Sequence, residues 1–206
     1  MPQHVWVGRS DYIRAQCQER LRKLRQMISI SFKSLLIGIE GYTDDDYSRL
    51  GRAIGRNTHL SSLQVYPADI LLTTTNIQFF DGLRQNASIN KLFFHCHGRD
   101  IGEISYAILN VYEEKSNLAD LHIDSTNLQD VVPLCTMMRH CTNLLKIKLS
   151  ECSITDEQLK SIVEATRGHN LLSLHLPRNR IGNVGCETIA TLLRDNNCNL
   201  QSLSQD

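Results

Sequence analysis

This chain has no surplus of charge. Its 22 basic and 22 acidic residues cancel, which removes any bulk attraction to nucleic acid or to an anionic membrane. It has no long apolar run either. The longest, around Leu35 to Ile39, is far shorter than the roughly 20 residues that cross a bilayer. The opening residues, MPQHVWVGRS, lack the charged start and apolar core of a signal peptide. These absences lead to the expectation of a cytoplasmic protein without membrane insertion. The seven cysteines are odd in number and have no tight pairing pattern. In that compartment they read as reduced thiols rather than a disulfide frame. The sequon Asn86-Ala87-Ser88 is then an accident of sequence at a helix end.

The signatures of chemistry are missing too. There is no C-x-x-C and no H-E-x-x-H. His95, Cys96 and His97 are consecutive, with His122 and Asp124 one unit further on. Two histidines and a carboxylate can hold iron or zinc. In the register derived below, however, His97 points inward, so neither a metal nor a cofactor is expected. No element orients a Cys–His pair for nucleophilic attack. Cys135, His140 and Cys141 fall on a helix and the turn after it. Ile181 to Gly185 resembles a phosphate loop, but the Gly-Lys-Ser/Thr that should follow is absent. Asp44, Asp45 and Asp46 suit the positive end of a helix, not a calcium loop. The expectation is a protein that is not an enzyme.

What the chain does have is a repeat. Leu171-x-x-Leu174-x-Leu176-x-x-Asn179-x-Ile181 and Leu144-x-x-Ile147-x-Leu149-x-x-Cys152-x-Ile154 are its clearest copies. The first apolar residues of successive copies are Phe32, Leu60, Ile89, Leu118, Leu144, Leu171 and Leu200, 26 to 29 residues apart. The inner pairs keep the same phase: Leu35 and Ile37, Leu63 and Val65, Leu92 and Phe94, Leu121 and Ile123.

Alternate side chains of a strand face opposite sides. Leu174 and Leu176 therefore point inward and His175 outward. The second half of each unit is helical. Thr155 and Gln158 form a capping box before the stripe Leu159, Ile162 and Val163. Val184, Ile189, Leu192 and Leu193 form the next stripe. Tyr47, Leu50 and Ile54 serve the first unit, Phe80 and Leu83 the second. One such unit cannot bury its own apolar face, so stacked neighbours supply the core.

Residues 32–206 resemble the ribonuclease-inhibitor-like class of leucine-rich repeats. Asn179 and Cys152 stand where that class places the inward residue of its turn ladder. Glu40, Ala68, His97 and Thr126 occupy the same position in other copies and depart from it. The resemblance implies an α/β horseshoe solenoid, with parallel strands on the concave face and helices on the convex face. It comprises six full units and a partial seventh after an N-terminal segment, 1–31. It also implies a non-catalytic module or scaffold that binds a protein partner. The alternative is a regulator of a small GTPase, by similarity to the Ran GTPase-activating proteins of the same class. Arg9, Arg49, Arg52 and Arg56 lie near the start, the last three on the outer face of the first helix.

The outward positions define the expected binding strip. Seven strands at about 4.8 Å each make roughly 30 Å, enough for a standard protein interface. Tyr66, Phe93, His95, His122, Asp124, Lys148, His175 and Arg178 are the candidate partner-binding residues. Exposed aromatics are the usual anchors of such surfaces. Ahead of the repeats, Ile13, Cys17, Leu21, Leu24 and Ile28 form one helical stripe, expected to cap the first unit. At the other end the last strand is expected to leave an open edge, where two chains could pair end to end.

Overall fold

The computed structural model describes residues 33–38, 44–66, 77–96, 109–112 and 115–205. The capping helix expected before the first repeat lies outside the described residues. So do Arg9, Phe32, Glu40, Ala68 and His97. The architecture is α/β, with parallel strands alternating with helices. The chain forms two compact units, Met1–Phe94 and His95–Asp206.

The first unit contains β1 (Ser34–Gly38), α1 (Asp44–Arg56), β2 (Ser62–Tyr66), α2 (Ile77–Gln85) and most of β3 (Lys91–His95). β1 pairs with β2 and β2 with β3, both in parallel. Leu35, Leu63 and Leu92 lie abreast, so the phase read from the sequence is the register of the sheet. Leu63, Val65, Leu92 and Phe94 are buried, whereas Gln64, Tyr66 and Phe93 are half-buried on the opposite face. Tyr47, Leu50 and Ile54 carry the inner stripe of α1. In α2 the core aromatic is Phe79, not Phe80 as expected. The ring of Phe79 meets Tyr47 edge-on at 6.5 Å between centroids. The helices approach closely at glycine: a Cβ on Gly82 would overlap the backbone of Gly51.

Both helices of this unit end in an asparagine that organises the following turn. Asn57 Oδ1 accepts from the backbone N–H of His59 and Leu60 (2.8 and 2.6 Å). Asn86 Oδ1 accepts from Ser88 and Ile89 in the same way (2.9 and 2.8 Å). Asn86 Nδ2 also donates to the carbonyls of Ile54 and Asn57, both at 2.7 Å, which ties one turn to the one before.

The second unit begins with His95 and includes a helical turn at 109–112. β4 (Asp120–Asp124), α3 (Val132–His140), β5 (Lys146–Ser150), α4 (Asp156–Thr166), β6 (Ser173–His175), α5 (Asn183–Leu193) and β7 (Ser202–Ser204) follow. These strands pair in chain order and in parallel, with Leu121, Ile147, Leu174 and Leu203 abreast. The capping box at Thr155 and Gln158 is present, and Leu159, Ile162 and Val163 are buried behind it. In α5 the expected stripe is only half right. Ile189 and Leu192 are buried, but Val184 is 62 % and Leu193 51 % exposed. The face of α5 turned to α4 carries Gly185, where a Cβ would overlap Ile181 and Asp156 and meet Leu159 at 3.2 Å. Val184 is the next residue round the helix from that contact.

Asn179 joins successive turns here. Its Nδ2 donates to the carbonyls of Leu149 (2.7 Å) and Leu176 (3.0 Å). Its Oδ1 accepts from the N–H of Cys152 (3.0 Å) and Ile154 (3.1 Å). Cys152 reaches back with its thiol to the carbonyl of Ile123 at 3.6 Å. Thr126 fills the same position one copy earlier and is also buried.

Candidate functional site

The outward residues of the second unit form rows across the strands. Asp120, Lys146 and Ser173 lie abreast, then His122, Lys148 and His175, then Asp124 and Ser150. In each strand the inward neighbours are buried aliphatics, so the pleat holds these polar groups on one face. Ser150 is an exception to the expected exposure, being only 7 % exposed. Pro177, whose carbonyl accepts from Glu151 N–H, runs alongside it.

His95, His122 and Asp124 are brought together as expected. The two imidazoles pack edge to face, 5.4 Å between centroids. His95 Nδ1 lies 3.6 Å from Asp124 Oδ2, a close contact beyond ordinary hydrogen-bond range. Burial lowers His122 to about 4, with Lys148 and His95 pushing the same way against Asp124. At neutral pH His122 is therefore an uncharged imidazole. His175 Nε2 lies 2.8 Å from Ser202 Oγ. Among the described residues, no group of three or more His, Cys, Asp and Glu is placed to hold a metal ion.

Arg178 belongs to a different feature, a rail along the turns that follow the strands. Its guanidinium pairs with Glu151, whose other oxygen accepts from Ser125 Oγ at 3.0 Å. Arg178 and Ser125 together hold the Glu151 carboxyl below the usual carboxylate range. Ser125, Glu151 and Arg178 occupy equivalent positions in successive copies, and all three have positive φ (56°, 53° and 56°). Such backbone costs a non-glycine residue of order 1–3 kcal/mol. It lets the chain leave the strand while Ser125 and Glu151 still donate to the next copy. Ser125 was absent from the candidates read from the sequence; its place two residues beyond Ile123 in the repeat was the available signal.

Tyr66 and Phe93 are half-buried on β2 and β3 of the first unit, on the outward face as expected. The arginines considered for GTPase regulation, Arg49, Arg52 and Arg56, are exposed on α1, where Arg49 pairs with Asp45 one turn earlier. The buried thiols are held in their neutral form. Burial pushes Cys96 up to about 12, with Asp124 adding to the effect, and burial alone pushes Cys141 up to about 12. Cys152 is shifted in the same direction by burial. A neutral thiol is a poor nucleophile and a poor metal ligand.

No family model matches this chain, and no curated protein matches it.

Proposed function

We propose that this chain is a leucine-rich-repeat solenoid of the ribonuclease-inhibitor-like class that binds a protein partner through its concave strand face. The observation that carries the reading is the carboxamide of Asn179, which bonds to the turn before it through Leu149, Cys152 and Ile154. A side chain that closes one turn onto the previous one is how a repeat array builds a continuous core. The strands then present a face of half-buried aromatic, histidine, lysine and carboxylate side chains, the composition of an anchor region with a polar margin. The candidate residues are Tyr66 and Phe93 in the first unit, and His95, His122, Asp124, Lys148, His175 and Arg178 in the second. The role is that of a scaffold and involves no chemistry of its own.

The test is an affinity capture with the wild type against a Tyr66→Ala, Phe93→Ala, His122→Ala triple variant whose circular dichroism matches the parent. A protein retained by the wild type and lost by the variant supports the reading. Equal recovery by both moves the binding site off this face.

A further inference from the structure

The row His122, Lys148 and His175 is centred on a cation, Lys148. Lys148 is half-buried on the outward face. Among the described residues, none of the ion pairs includes it. The carboxylates nearby face other groups: Asp124 lies against His95, and Glu151 is held by Arg178 and Ser125.

We propose that this row receives a single carboxylate from an acidic side chain of a protein partner, seated over Lys148 between His122 and His175. This rests on the protein-binding reading and narrows it to one chemistry. Lys148 is in register with both histidines, so at about 4.8 Å per strand an anion seated over Lys148 lies beside both imidazole rings. Charge complementarity limits its size. Asp120 on one side, and Asp124 and Glu151 on the other, would repel an extended polyanion such as a nucleic-acid backbone. A lone carboxylate fits between them.

The row should also be sensitive to pH. His122 faces His95 from β3, Asp124 on its own strand, and Lys148 from β5. Burial, Lys148 and His95 keep the free imidazole neutral. A carboxylate placed over Lys148 reverses that field and favours the imidazolium. Binding then takes up a proton, and affinity rises as pH falls from about 7 toward 5, where a glutamate of ordinary pKa near 4.3 stays ionised.

The experiment is a titration of the full chain with the peptide Gly-Ser-Glu-Gly-Ser, acetylated at its N-terminus and amidated at its C-terminus, followed through the histidine ring resonances by NMR. The Gln version of the peptide is the control. Saturable shifts of His122 and His175 with the Glu peptide alone, stronger at pH 5.5 than at pH 7, are expected. Lys148→Gln should weaken binding by about five- to tenfold, the scale of one charge-assisted contact. Lys148→Arg should retain it, and Lys160→Gln, on the exposed face of α4, should not change it. Absence of saturable shifts, equal shifts with the Gln peptide, or undiminished binding by folded Lys148→Gln overturns the proposal. If Lys148→Gln still captures the partner that the triple variant loses, the protein-binding reading stands and the carboxylate site falls.

Discussion

Asn179 meets several backbone groups with one side chain, and both its donors and its acceptor are used. Its two N–H groups satisfy carbonyls at the end of β5 and β6, and its oxygen satisfies two amides of the intervening turn. An Asp offers no donor and an Ala offers nothing. Each backbone group left buried and unbonded costs about 1–3 kcal/mol, partly recovered where water can enter. Asn179→Ala is therefore expected to lower stability by about 2–4 kcal/mol. In a urea titration it should shift the midpoint and leave the slope unchanged. Asn179→Asp should recover only part of the loss. The same logic governs Asn86. That residue is wholly buried, and its nitrogen donates to two carbonyls. A glycan on that nitrogen would require both bonds to break.

Helices in this protein are placed by what they pack against, and the sequence shows this unevenly. The start of α4 was legible because a capping box is a local device: Thr155 and Gln158 need only each other. The choice of Phe79 over Phe80 in α2 was not legible. The buried ring packs against Tyr47, more than thirty residues earlier in the chain, and adjacent phenylalanines do not declare which of them meets it. The exposure of Val184 and Leu193 was hidden for the same reason, since an apolar residue declares its type and not its neighbour. The crossing of α1 and α2 gives the sharpest test at this scale. Gly82 has no room for a methyl group, because the facing atoms belong to the backbone of Gly51 and cannot rotate away. Gly82→Ala should therefore destabilise by at least about 2 kcal/mol, even though Ala is the better helix former by about 1 kcal/mol. A thermal melt of that variant checks the sign: a raised midpoint would mean that the helices do not cross there.

At the scale of the whole chain, the register was legible in the sequence and the surface was only partly so. The apolar phase markers became strand partners residue for residue: Leu35 with Leu63 and Leu92, and Leu121 with Ile147 and Leu174. A period-2 strand allows no compromise here, because a slip of one residue turns every inward side chain outward. The turn rail of Ser125, Glu151 and Arg178 had no composition signal, since its positive φ values arise from the path of the chain and not from glycine. The register is open to a direct contrast. Leu174 is fully buried among aliphatics, so Leu174→Ala leaves a cavity and should cost about 2–5 kcal/mol. Tyr66 and Phe93 are on the opposite face of their strands and half-buried. Alanine at either should cost about 1 kcal/mol or less, within the range of ordinary surface change. Denaturant midpoints of the three variants decide the matter. A loss at Tyr66 or Phe93 equal to that at Leu174 would mean that those rings are core, and the outward face would have to be redrawn before any partner is sought on it.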